Sequence, residues 1–197
     1  MLELRYKTPM SWAERALMSP LELLSDHAHC ELRAASSAQG LITRNPSAKS
    51  LVDSLSRLAL EEMRHFRQVI ALLESYGGEL LWAEPNPYVE GLMDGTKATR
   101  GAVLLDRLLI SGLVELRSLE RFDMLADAAT DPTVKSLYAE LGPSEAGHAT
   151  LFSRLAEELF PAKLVRARAG ELCAIEAGVV EQLSFAPRMH SGIRDSD

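Results

Sequence analysis

Cysteine is nearly missing from this chain. Cys30 and Cys173 are the only two among 197 residues, they form no Cys-x-x-Cys pair, and they fall on different expected helices. That excludes a disulfide framework and a thiolate metal site. Long hydrophobic runs are missing too: no uncharged apolar stretch approaches the roughly 20 residues that a membrane span requires. The opening MLELRYKTPM carries charges where a secretory leader needs an apolar centre, so a soluble cytoplasmic protein is expected. Positive charge is in deficit, 21 Lys and Arg against 28 Asp and Glu for a formal net charge of -7. A generally basic nucleic-acid binder is thereby excluded, and any nucleic-acid contact has to come from local patches. Stretches of alternating Val, Ile or Thr are absent, so strands are not expected. No low-complexity segment or interdomain linker interrupts the chain, and residues 1-197 read as a single domain.

What is present is apolar spacing of period 3.6 almost throughout, which makes the fold class all-α. Ser11 and Glu14 form a capping-box pattern for a short N-terminal helix, and Ser19 followed by Pro20 starts a long helix reaching about Thr43. Asn45, Pro46 and Ser47 break the chain. A second long helix runs from about Ser47 to Tyr76 and stops at Gly77 and Gly78, where left-handed backbone is available. The following stretch, ELLWAEPNPYVEGLMDGTKA, holds too many prolines and glycines for a continuous helix and reads as a long crossover. A third long helix is expected over about Thr99 to Thr130. Asp131 and Pro132 cap a fourth that ends near Phe160, and Pro161 starts a fifth, C-terminal helix reaching about Leu183. The tail from about 184 to 197 looks irregular. Two helices, a long crossover and two more helices is the connectivity of a ferritin-like four-helix bundle.

The segment LALEEMRHFRQV places two glutamates ahead of a histidine inside an apolar stripe. Residues i and i+3 of a helix share a face, so Glu62 and His65 can bind one ion together; Glu61 and His65 offer the i, i+4 alternative. The fourth helix decides between them, because PSEAGHATLF has Glu145 three residues before His148 and Ser144 in the position equivalent to Glu61. The first and third long helices each offer one further carboxylate, Glu31 and Glu115. The separations match: 31 residues from Glu31 to Glu62 and 30 from Glu115 to Glu145. Two similar hairpins related by a pseudo-two-fold axis through a metal site are implied. One Glu from each of two helices and a Glu-x-x-His from each of the others is the di-iron or di-manganese carboxylate arrangement. Four carboxylates balance two divalent ions, which avoids burying net charge.

Within the helices, Glu120 competes with Glu115, but Glu115 shares its face with Leu108, Leu119 and Phe122, whereas Glu120 accompanies Arg117 and Asp123. His27, four residues before Glu31, reads as a satisfied core histidine, with a role behind the metal or as a ligand as the alternative. His29 and His190 read as ordinary polar residues, and Phe66, Phe122 and Phe152 as core rather than pocket lining. Gly142, Pro143 and Gly147 surround the second Glu-x-x-His, and a kink or bulge is expected there.

The segments DHAHCELRAAS, SRLALEEMRHFRQV, LLISGLVELRSLERF and SEAGH, with RMHSG in the tail, together resemble the bacterial tRNA hydroxylases that act on 2-methylthio-N6-isopentenyladenosine beside the anticodon. The resemblance covers essentially the whole chain. It implies a ferritin-like non-haem di-iron monooxygenase that uses two iron ions, O2 and electrons from a partner reductase to hydroxylate the isopentenyl group. By position, Glu31, Glu62, His65, Glu115, Glu145 and His148 match the family's metal ligands, and no catalytic residue beyond them is assigned. The partners implied are the tRNA anticodon loop, O2 and the reductase; there is no membrane partner, and a monomer is expected. Metal neutralisation of four carboxylates removes much of the acidic excess. Lys163, Arg166 and Arg168, or Lys97, Arg100 and Arg107, then become candidate tRNA contacts against the plainer reading of solvated helix faces. An iron-storing or peroxide-scavenging protein of ferritin or rubrerythrin type is the alternative, although a rubrerythrin usually adds a Cys-x-x-Cys iron domain that this chain lacks.

Overall fold

A computed structural model describes residues 2–96 and 103–195. Among them the chain is all-α, with α1 (Ser11–Ala16), α2 (Pro20–Arg44), α3 (Lys49–Ser75), α4 (Pro87–Asp94), α5 (Val103–Ala128), α6 (Pro132–Leu159) and α7 (Ala162–Gln182). The expected start of the third long helix near Thr99, together with Lys97 and Arg100, lies outside the described residues. The crossover is not wholly irregular. Asn86 accepts a hydrogen bond from the Val89 amide and Pro87 occupies the first turn, which is enough to start the short helix α4.

The described residues form two compact units, residues 16–84 with 187–189, and residues 2–15, 85–96, 103–186 and 190–195. In the first, α2 packs against α3. The buried positions of α3, Leu51, Leu55, Leu58, Glu62, His65, Val69 and Leu72, alternate in steps of four and three. Glu62 and His65 therefore stand where an ordinary helix pair would place leucines. Ser19 makes no side-chain cap for α2, contrary to the sequence expectation; Pro20 in the first turn supplies the start. Helix α3 ends as expected at Gly77, whose φ of 74° only glycine adopts without strain, and the Gly78 amide returns to the Leu73 carbonyl at 3.0 Å.

In the second unit α5 packs against α6, and α7 lies against α4 and α5. The buried stripe of α6 includes Val134, Tyr138, Leu141, Glu145, His148, Phe152 and Leu155, the same four-three stepping as in α3. Asp131 caps α6 by accepting from the Thr133 and Val134 amides. Pro143 does not break the helix: α6 is α-helical from Pro132 to Leu159 with the proline inside it. Gly112 on α5 allows a close approach, since a Cβ there would lie 2.6 Å from Leu2 Cδ1 and 3.4 Å from Phe152 Cβ on α6. The amides of α1 are taken by the Pro9 and Met10 carbonyls in place of the expected capping box. Among the described residues the tail has no helix but is folded back, with the Gly192 amide on the Ser184 carbonyl and Arg15 on the Ile193 carbonyl.

A buried ion pair joins α5 to α7. Arg117 Nε and Nη2 donate to Glu176 Oε1 at 2.9 and 2.7 Å, both side chains are fully buried, and Tyr88 donates to the same oxygen at 3.1 Å. Burial raises the Glu176 pKa and Arg117 opposes that rise. Arg117 also pairs with Glu120, which in turn holds Thr8. Glu176→Ala should strand a buried guanidinium and cost about 3 kcal/mol, the low end of the range for breaking a buried pair because Glu120 remains. Chemical denaturation will measure it, and a loss under about 1 kcal/mol, the level of a surface pair, would show that the pair is not structurally important.

Candidate metal centre

Each unit carries one cluster of carboxylates and imidazole. In the α2–α3 unit, Glu31 comes from α2 and Glu62 and His65 from successive turns of α3. His65 Nδ1 lies 3.6 Å from Glu31 Oε2 and 3.5 Å from Glu62 Oε2, and one ligand atom of each of the three falls within 4.8 Å of the others. All three are buried. Burial raises the Glu31 pKa to about 8; the His65 hydrogen bond opposes that rise and Glu62 adds to it. Burial acts to lower the His65 pKa, but hydrogen bonds and charge from Glu31 and Glu62 outweigh it and raise it to about 10. Without a cation, then, this cluster holds protons at neutral pH to offset its carboxylates. Behind it, fully buried His27 places Nε2 2.6 Å from Glu31 Oε1. Burial lowers the His27 pKa to about 3, so the ring is neutral and its Nε2 shares one hydrogen bond with the Glu31 carboxyl group. The hydrogen bond sets His27 behind Glu31, where it orients that side chain.

In the α5–α6 unit, Glu115 comes from α5 and Glu145 and His148 from α6. His148 Nδ1 lies 3.9 Å from Glu145 Oε1, and Glu115 and His148 offer ligand atoms within 4.8 Å of one another. All three are buried. Both clusters exist for the same local reason: a Glu-x-x-His falls on the buried stripe of one helix, and the neighbouring antiparallel helix contributes one more Glu on its own buried stripe. Glu61, the i, i+4 alternative, is only half-buried, and Glu120 is engaged with Thr8 and Arg117. Two carboxylates and one imidazole, shielded from water, are a hard donor set with one borderline nitrogen, which suits divalent iron or manganese. The residues fit such a metal.

The profile of the family described as tRNA-(MS[2]IO[6]A)-hydroxylase (MiaE) matches residues 2–191. The chain belongs to that family. A relative in Pseudomonas putida, named tRNA 2-(methylsulfanyl)-N(6)-isopentenyladenosine(37) hydroxylase, is 35% identical over 187 residues, 94% of this chain and 90% of the relative. A protein of the same name in Salmonella typhimurium is 28% identical over 151 residues, 77% of this chain and 55% of that protein. Among solved structures, a protein from Synechococcus described as having aldehyde deformylating oxygenase activity is 36% identical, with a TM-score of 0.91 covering 98% of this chain and 97% of that one. The fold is accordingly a ferritin-like helical bundle.

For this MiaE family member the basic residues divide. Lys163 and Arg166 on α7 are exposed. Arg168 is not available in the same way: its guanidinium forms a two-pronged pair with Asp106 at 2.6 and 2.9 Å, a further contact with Glu171 at 2.7 Å, and its side chain is 13% exposed. Its place in the expected tRNA-contacting trio is therefore taken by a structural role, tying α7 to α5. Arg107 is exposed and lies against Met93 Sδ. His29 is exposed as expected, with Nε2 2.8 Å from the Leu81 carbonyl. His190 is not the ordinary polar residue expected, because it is buried, stacks on Tyr88 at 5.0 Å and meets Ser118 at 3.2 Å. Phe122 and Phe152 are core residues, as read from their spacing. No described helix is long and apolar enough to cross a membrane.

Proposed function

We propose that this chain is a tRNA hydroxylase that adds one oxygen atom to the isopentenyl group of 2-(methylsulfanyl)-N6-isopentenyladenosine beside the anticodon, using O2 and electrons from a partner reductase. The observation that carries it is the doubled set of buried Glu, Glu and His, present in a chain of this family. We take Glu31, Glu62, His65, Glu115, Glu145 and His148, within a single domain, as the residues that would hold two iron ions. Bound iron would supply the oxygen chemistry. The protein's own part is to hold six ligands in place, with His27 fixing Glu31, and to keep water from them by burial.

Lys163 and Arg166 are the proposed phosphate contacts on α7, holding tRNA without reading its sequence. The target base is unpaired in the anticodon loop, so no duplex need be opened. The working form is a monomer in the cytoplasm.

The test is mass spectrometry of tRNA nucleosides from a strain lacking the gene and from the same strain complemented. The deletion should lose the nucleoside heavier by one oxygen and the complemented strain should regain it; identical nucleosides in both would overturn the assignment. Oxygen-dependent aldehyde deformylation is a second reading, favoured by the activity named for the Synechococcus protein. Incubating the reduced, iron-loaded protein with a long-chain aldehyde separates the two, since only that reading yields an alkane one carbon shorter.

A further inference from the structure

Trp82 is 95% exposed, and its neighbours Leu80 and Leu81 are 41% and 48% exposed. An indole left this bare forgoes the burial that makes tryptophan the largest apolar side chain in most cores. The backbone beneath it is nevertheless held firmly. Ser25 Oγ accepts from the Leu81 amide at 2.9 Å, His29 Nε2 lies 2.8 Å from the Leu81 carbonyl, and Arg33 Nη2 donates to the Glu84 carbonyl. Ser25, His29 and Arg33 are four residues apart on α2, one stripe of a helix against which residues 81–84 are laid. Both backbone groups of Leu81 are thus tied down, and Trp82 stands free directly after the anchor. Arg188 reaches the Glu84 carboxylate at 3.6 Å, so the end of this segment is flanked by two guanidinium groups, with Glu84 between them.

We infer that Trp82 is a stacking platform for an unpaired nucleobase of the tRNA anticodon loop, with the guanidinium groups of Arg33 and Arg188 at Glu84, two residues on, adding positive charge for the adjoining phosphates. The inference rests on the hydroxylase reading above and names a contact of the same substrate. A ring with both faces open on a fixed backbone suits insertion against a base, and stacking works with any base because each has a π-face. The guanidinium groups of Arg33 and Arg188 at the end of the segment favour a polyanionic partner over an apolar protein face. Trp82 therefore adds affinity without selecting sequence.

The chain has two tryptophans, and Trp12 is fully buried, so long-wavelength fluorescence reports Trp82. Titrating the iron-loaded protein with an anticodon stem-loop RNA carrying the modified adenosine should quench that emission. Trp82→Ala should weaken RNA binding about tenfold, within the range for losing one stacked base, while Trp82→Phe should stay within about threefold of wild type. Iron content and melting temperature of both variants should match wild type. Binding by Trp82→Ala within twofold of wild type would overturn the inference, as would a loss confined to electron delivery from the reductase, which would make the residue a protein contact. Trp82-dependent RNA binding without hydroxylation would sink the hydroxylase reading and keep this one; Trp82-independent binding with hydroxylation intact would do the reverse.

Discussion

Glu62→Ala and Glu145→Ala are each expected to cut bound iron from about two ions per chain to well under one, while Glu61→Ala keeps the wild-type amount. Glu62 and Glu145 are 1% and 2% exposed and sit on the buried stripes of α3 and α6. Each lies beside the imidazole three residues on, at 3.5 and 3.9 Å. Removing either carboxylate takes away a donor and a negative charge that offsets a divalent cation in a place where uncompensated charge is expensive. Losing two or three units of pM in metal affinity costs roughly 3 to 4 kcal/mol at about 1.4 kcal/mol per tenfold. Glu61 is adjacent in sequence but points to a different face, so it controls for helix propensity and net charge. Elemental analysis of protein purified under identical iron supply decides the matter. Full occupancy in either ligand variant, or equal loss in Glu61→Ala, would refute the ligand set.

The second large effect concerns the metal-free protein, whose stability should fall as pH rises from about 6.5 to 8. The sign follows from which state binds more protons. In the fold Glu31 has its pKa raised by burial to about 8 from an ordinary 4.5, and His65, against the pull of burial, is raised by Glu31 and Glu62 to about 10 from 6.5. Between the ordinary carboxylate range and pH 8 the folded cluster thus holds protons that the unfolded chain has released. Each such proton makes stability decline by about 1.4 kcal/mol per pH unit as pH rises. His27 acts the other way at the acid end: burial lowers its pKa to about 3, so below its ordinary 6.5 the unfolded chain takes up a proton that the fold refuses, and stability is lost as pH falls. The apoprotein should therefore be most stable near the crossing of these two trends, mildly acidic.

Metal inverts the upper limb. An ion that displaces those protons binds more tightly at higher pH and stabilises only the folded state, so the loaded protein should melt well above the chelated one, with a gap that widens from pH 6 to 8. Differential scanning calorimetry of both forms across that range will test it. A gap independent of pH, or apoprotein stability that rises between pH 6 and 8, would show that the cluster is not protonated in the fold.

The sequence by itself determined the helices and the candidate ligands, because both depend on local periodicity. The four-three stepping of apolar residues in α3 and α6 marks one face per helix, and any Glu or His on that stripe is carried inward with the leucines. Glu62, His65, Glu145 and His148 could be picked out for that reason, and Glu31 and Glu115 by matched separation. Asp131 was legible as a cap, and Gly77 as a helix stop, since each acts on its own neighbours.

Other features depend on pairs far apart in the chain, and only the tertiary structure decided them. Arg168 read as a free cation until α7 packed on α5 and brought it to Asp106, 62 residues away. His190 read as an ordinary polar residue because nothing near it in sequence shows that Tyr88 and Ser118 will bury it. Trp82 stands in a proline-rich segment whose composition predicts a loop, but its outward pose comes from three side chains of α2, Ser25 and His29 holding Leu81 across 56 and 52 residues and Arg33 holding Glu84 across 51. Spacing along a helix says which residues face inward. Which buried or exposed charge finds a partner depends on which helix face it meets, and that is set by packing of whole elements against one another.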